Sequence, residues 1–164
     1  SAVCASGGSA SADNLAIAAR QAGLTATTTL DPDAALACDV VVTSVRADAG
    51  LVPFLDARKL QPGSFVAAVD VGASWRREGL DAFDIMATDD REQAQEPSTR
   101  ARLALPRPPD ADLADLVASG EHRRQDPEQR ALFVFPGFAL ADIAVAIEIL
   151  EIARAAGAGI KLSG

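Results

Sequence analysis

The chain has 164 residues, enough for one domain with a core of its own and too few for two large ones. Hydrophobic residues make up 49% but aromatics only 4%, so the core is built from Ala, Val, Leu and Ile, which suits helices stacked on a parallel sheet better than a β-sandwich. A net charge of −8 argues against nucleic acid and against an anionic membrane surface as partners.

In chain order, Ala2 to Ala5 is a short apolar run, followed by Ser6-Gly7-Gly8-Ser9-Ala10-Ser11 and a helical stretch to Ala22. Ser9 or Ser11 caps that helix and Gly23 ends it. Leu24 to Thr29 is rich in β-branched residues and predicts a strand, and Asp31-Pro32 opens a brief helix. Val40 to Ser44 reads as a continuous apolar strand, the pattern of a strand covered on both faces. Pro62-Gly63 turns into a buried strand from Phe65 to Val71, and the charged stretch Arg76 to Ala82 predicts a surface helix. Ile85 to Thr88 predicts a fourth central strand, with Asp89-Asp90 capping the next helix. Between Glu96 and Asp110 four Pro and several Arg predict a loop. Leu113, Leu116 and Val117 make a small amphipathic helix stopped at Gly120, and the stretch to Glu128 is polar.

An apolar strand, Leu132 to Phe135, then turns at Pro136-Gly137 into a long helix with no stop before Gly157. That helix carries two apolar stripes, one of Ile143, Ile147 and Leu150 and one of Val145, Ile149 and Ile152. A surface helix needs one stripe, so this one is expected to pack between two partners. Strands alternating with helices call for parallel pairing and right-handed crossovers. No apolar run approaches the roughly 20 residues of a membrane span, and no signal segment is visible. Cys4 and Cys38 sit in or beside apolar runs and read as buried thiols of a cytoplasmic protein. One His and two distant Cys make no metal site. The chain opens on Ser1, which is read as a tag scar, a processing site or a chain split.

Six segments in order resemble the ornithine cyclodeaminase and μ-crystallin (ketimine reductase) family, over about Ala12 to Gly159. Asp39-Val40-Val41-Val42-Thr43-Ser44 is similar to its A-D-I-V-V-T-A-T strand, Leu60 to Val69 to its L-x-P-G-x-x-x-x-A-V segment, and Arg77-Glu78 to its R-E-L. Asp89 to Ala94 resembles the D-x-x-x-Q-A run, and Ala111 to Gly120 the L-G-E-V-hydrophobic-x-G segment. Phe133, Gly137, Ala139 and Asp142 match fixed points of V-F-K-S-x-G-x-A-x-E-D.

The resemblance implies an α/β fold: a Rossmann-like parallel sheet flanked by helices, lacking its first strand in this chain. Residues 1–138 would form the incomplete NAD(P)-binding domain, and 139–164 a helix reaching toward a substrate and dimerisation domain. In this register Ala2 to Ala5 is the second strand of the nucleotide fold. The first strand and its Gly-rich turn would come from an N-terminal segment or a separate chain. A rival register makes Ser6 to Ser11 that first turn, though it lacks the G-x-G-x-x-G spacing. The implied function is the C-terminal portion of an NAD- or NADP-dependent imine or ketimine reductase, or of a cyclodeaminase, acting on a small amino-acid-derived substrate, with the assembled unit a homo-oligomer. Ser6, Gly7, Thr43, Ser44, Val71, Phe135 and Gly137 fall on the cofactor side.

The chain departs from the family at chemically important places. The aspartate of the cyclodeaminases falls at Gly72, which leaves Asp70, two positions earlier, as the one candidate catalytic carboxylate. Asp70 could take that role only if the strand shifted, and it reads first as a strand-end carboxylate bonded to nearby amides. The family's K-S pair becomes Val134-Phe135. These departures keep a second class open, a degenerate member serving as a binding or structural subunit, or one half of a cleaved or split protein. By position alone, the polar groups at strand ends are Thr43, Ser44, Arg46, Asp48, Asp70, Ser74, Thr88 and Asp89. His122 and the cluster Arg100, Arg102 and Arg107 read as solvated, and Trp75 as a pocket cover or an anchor.

Overall fold

A computed structural model describes residues 2–6, 9–46, 50–103, 105–118, 124–137 and 139–160. Strand β1 (Ala2–Ser6) leads through helix α1 (Ser9–Gln21) to β2 (Thr25–Thr29), which pairs with β1 in parallel from Ala2↔Thr25 to Ser6↔Thr29. Helix α1 buries Ala12, Ala16 and Ala19, spaced for one helical face, and Ala16 and Ala19 pack against Val3 and Ala26. Small side chains allow this close approach of helix to strand. The helix closes at Gly23 (φ +80°), where Leu24 N donates back to Ala19 O as the sequence predicts.

The second sheet is all parallel, in the order β3-β4-β6-β5, with β3 (Val40–Thr43), β4 (Phe65–Ala68), β5 (Ile85–Thr88) and β6 (Ala131–Val134). Register aligns four rows across it. The row Val41, Val66, Leu132 and Met86 is buried, as is the row Thr43, Ala68, Val134 and Thr88. This face meets Leu36, Leu55, Leu60, Trp75, Leu80, Phe83, Ala94 and Leu103 in one core. On the opposite face exposure climbs from one side of the sheet to the other. Ile85 is half-buried and Ala87 buried on β5, whereas Val40 and Val42 on β3 are 59% and 64% exposed.

Strand β3 pairs with β4 alone among the described strands, and β1 with β2 alone. Phe65 N donates to Asp39 O and Val69 N to Thr43 O. Backbone groups alternate along a strand, so residues 39, 41 and 43 face β4 while Val40 and Val42 present theirs on the open side.

Several sequence expectations need correction. The stretch expected to be a loop holds helix α3 (Pro97–Leu103), which starts on Pro and buries Thr99 and Leu103 one turn apart. It follows the short helix α2 (Arg91–Gln95), whose cap is Asp90, accepting from Gln93 N at 2.8 Å. Strand β5 is not central: β6 inserts between it and β4. Strand β4 ends at Ala68 rather than Val71, because Val71 (φ +55°) and Gly72 (φ +77°) turn left-handed. Arg77–Ala82 is a 3-10 turn that buries Gly79 and Leu80, not a wholly exposed helix. Trp75 is 1% exposed and packs edge-on against Phe83, so it is an anchor. Helix α4 (Leu113–Ala118) forms as expected, while its stop at Gly120, like His122, Asp48 and Gly7, lies outside the described residues.

Helix α5 (Ala139–Ala155) has both predicted stripes in solvent, with Ile143, Ile147, Val145 and Ile149 each more than half exposed. No described helix is long and apolar enough to cross a membrane.

Two positions give direct tests. Gly63 has φ +76°, and a Cβ there would lie 2.5 Å from Pro127 O. Gly63→Ala should therefore cost about 2 kcal/mol, read as a lowered urea midpoint. Asp56 accepts from Arg58 Nε at 2.8 Å and Nη2 at 2.6 Å. Those bonds outweigh burial and hold its carboxyl at about 2, below the ordinary 3.8. A depressed carboxyl contributes stability that is full above its ordinary value and lost as pH falls through the folded one. Asp56→Asn should thus flatten the loss of stability between about pH 4 and pH 2.

Candidate functional site

Open parallel sheets bind ligands beyond the carboxyl ends of their strands. Here that edge carries Thr43 after β3, the turn 69–75 after β4, Phe135 to Gly137 after β6, and Asp89 after β5.

The centre of the edge is the Asp70 carboxylate, 5% exposed. Thr43 Oγ1 donates to its Oδ1 at 2.9 Å and Gly72 N to the same oxygen at 3.2 Å. The Ser74 hydroxyl donates to Oδ2. Trp75 Nε1 donates in turn to Thr43 Oγ1 at 3.4 Å. Ser74 O accepts from Phe54 N at 3.0 Å and Leu55 N at 2.9 Å. One carboxylate therefore ties the end of β3 to the turn after β4 and, through Ser74, to the segment before Ala57. Three donors on two buried oxygens make Asp70 an organiser of this turn. A β-branched residue such as Val71 at positive φ is strained, and such strain persists only where neighbours over-determine it. The Asp70 bonds supply that restraint.

Gly72 and Gly137 share a property. Both have positive φ, +77° and +100°, and an ideal Cβ on either would meet nothing within 4 Å. They sit in the turns after adjacent strands β4 and β6, joined where Phe135 N donates to Ala68 O at 3.1 Å. Gln93 Nε2 anchors the second turn by donating to Gly137 O at 2.9 Å. The edge thus presents two open backbone patches flanked by exposed Val69 and by Phe135, 36% exposed.

Of the residues singled out from sequence, Thr43, Asp70 and Ser74 are brought together. Val71 is half-buried and packs on the core, while Ser44 and Arg46 are exposed beyond β3. Thr88 is buried and donates to Asp89 Oδ1 at 3.1 Å. Asp89 Oδ2 and Gln93 Oε1 are buried with no hydrogen-bond donor among the described residues. Ser6 ends β1 opposite Thr29. The Gln93 tether and the indole bond of Trp75 were not singled out from sequence. The D-x-x-x-Q spacing carried the first, and no local pattern carries the second. Among the described residues no group of three or more His, Cys, Asp or Glu could hold a metal ion.

No family model matches the chain, and no curated protein does. Solved structures do. An archaeal alanine dehydrogenase dimer with bound NAD superposes with TM-score 0.78 at 22% identity, over 99% of this chain and 52% of that one. A probable ornithine cyclodeaminase from Bordetella pertussis Tohama I gives 0.73 at 24%, over 98% and 53%. The Δ1-pyrroline-2-carboxylate reductase of Thermococcus litoralis, in complex with NADH and L-proline, gives 0.77 at 18%, over 98% and 53%. The chain has the fold of the ornithine cyclodeaminase group. The resemblance read from six short motifs holds at the level of the fold, and the chain spans about half the length of the solved structures it matches.

The Asp70 network yields a prediction. Asparagine offers one carbonyl oxygen in place of two carboxylate oxygens, leaving the Thr43 or the Ser74 hydroxyl without its acceptor. Asp70→Asn should cost about 1–3 kcal/mol in urea unfolding. It should also red-shift the emission of Trp75, the only tryptophan in the sequence. Unchanged stability and emission would contradict the organising role.

Proposed function

We propose that this chain forms the nucleotide-binding half of a nicotinamide-dependent enzyme, an imine or ketimine reductase or a cyclodeaminase relative, acting on a small amino-acid-derived substrate. The observation that carries this reading is the pair of open glycine turns on adjacent strands, Gly72 and Gly137, at the ligand-binding edge of a parallel sheet. Backbone without side chains lets a flat ring approach closely. The bound NAD or NADH of two solved structures with this fold supports the same reading.

A nicotinamide cofactor fits these residues. Val71, Gly72, Phe135 and Gly137 would form the floor and walls beside its ring, with Thr43 and Ser44 at the neighbouring strand end and Ser6, which ends β1, toward the adenosine side. The cofactor would supply hydride exchange with a C=N or amine carbon. The chain's own part is positional: the Asp70 bonds fix the turn after β4, and Gln93 fixes the turn after β6. Asp70 is the candidate acid or base that the sequence pointed to on this side. Its three bonded donors favour positioning over proton transfer.

Completion of the site needs a partner. In the doubly wound order 3-2-1-4-5-6, β2 and β1 would be the third and second strands, and β3 the fourth. The first strand then belongs between β1 and β3, the two strands that each lack a second neighbour among the described residues. Exposed Val40 and Val42 lie beside that place, on a face that a crossover helix would cover. We assign residues 1–138 to the cofactor domain and 139–164, which carry helix α5 (Ala139–Ala155), to the part that packs on the substrate and dimerisation domain, which would bury both stripes of α5. NAD and NADP remain alternatives, and the assembled unit would be a homo-oligomer in the cytoplasm.

A second reading has its own observations. Gly72 stands where the cyclodeaminase aspartate falls, Val134-Phe135 replaces the K-S pair, and Asp70 is fully bonded. These favour a member of the group that binds its ligand without turnover. Titrating NADH and NADPH into the full protein, by enhancement of nicotinamide fluorescence, tests the cofactor. Saturation by one of them is expected. Gly72→Asn, a residue that tolerates left-handed backbone, should weaken binding about tenfold by filling the open patch. Flat titrations with both cofactors would contradict the proposal. Saturation without reduction of any cyclic imine would select the second reading.

A further inference from the structure

A second concavity, of about 570 Å³, lies on the flank of the fold and uses none of the strand-end residues above. Arg77 enters it from the first position of the 3-10 turn, Gln95 from the end of α2, Pro97, Arg100 and Ala101 from α3, and Leu105 from the chain beyond. Burial of Thr99 and Leu103 fixes which face of α3 points inward, leaving Arg100 and Ala101 exposed.

The sequence has 23 acidic residues against 15 Lys and Arg, and four basic side chains form ion pairs among the described residues. Arg58, Arg91 and Arg107 are paired with Asp56, Asp115 and Asp110. Among the described residues, Arg77 and Arg100 make no side-chain hydrogen bond or ion pair, and no Asp or Glu lines the concavity. Glu96, although between two lining residues, is not part of the lining. Two guanidinium groups without a described protein partner on one hollow leave their donors for an anion to take up. The planar fork of each group suits a carboxylate or phosphate. Apart from Gln95 the remaining lining is apolar: Pro97, Ala101 and Leu105, the last half-buried against the main core. A bare inorganic ion would leave that wall unused.

We infer that this concavity binds a small organic carboxylate, its oxygens held by Arg77 and Arg100 and its hydrocarbon body lying on Ala101 and Leu105. The site is independent of the nicotinamide reading and stands or falls without it.

Glutarate and inorganic phosphate, titrated separately into the full chain and followed by backbone amide chemical shifts, test the inference. Glutarate should shift the amides of Gln95, Ala101 and Leu105 saturably, and more tightly than phosphate. Arg77→Gln and Arg100→Gln, both at exposed positions, should each weaken it about tenfold with the melting temperature unchanged. Phosphate binding as tightly as glutarate would overturn the role of the apolar wall. Shifts absent, unaffected by either substitution, or centred on residues 43–44 and 70–72 would overturn the site.

Discussion

Parallel strands depend on backbone pairing at their edges and on side-chain cover over both faces. The four-stranded sheet meets this on one side and fails it progressively on the other. Its inner rows, Val41-Val66-Leu132-Met86 and Thr43-Ala68-Val134-Thr88, are sealed by Trp75, Phe83 and their neighbours. Its outer rows run from half-buried Ile85 to Val40 and Val42, open to solvent. A strand of three consecutive valines suits a fully covered position, yet among the described residues β3 has one neighbour and one covered face. The proposed partner strand follows from that imbalance.

The strand-end site is built by the same economy of means. A buried carboxylate with too few partners is costly, and Asp70 meets the requirement by gathering Thr43, Gly72 and Ser74. Its position is therefore fixed by structure before any ligand is considered. What remains free at the edge is backbone: Gly72 and Gly137, each in a conformation that disfavours a side chain and each with open space where one would stand. Chemistry at such a surface would depend on what it holds in place, which is the division of labour expected of a cofactor-binding half.

Much of the fold was legible in the sequence because the signals were local. Gly23 after an alanine-rich helix, Asp31-Pro32 before a short turn and Asp90 before α2 act within a few residues and appear as read. The apolar runs at Val40, Phe65, Ile85 and Leu132 each form strands. Strand order was not legible, since placing β6 between β4 and β5 depends on contacts far apart in the chain. Four prolines concealed α3, because Pro97 begins a helix rather than breaking one. At the site, Thr43, Asp70 and Ser74 were visible as strand-end polar residues. Their convergence was not, because the left-handed step at Val71, a residue that resists it, folds the turn back on itself.

The most direct measurement is native hydrogen exchange on the 164-residue chain by itself. If β3 is open on the side away from β4, the amides of Val40 and Val42 exchange far faster than those of Val41 and Thr43, which face β4. Equal protection of all four amides would mean that both edges of β3 are already paired, and would contradict the need for an inserted strand.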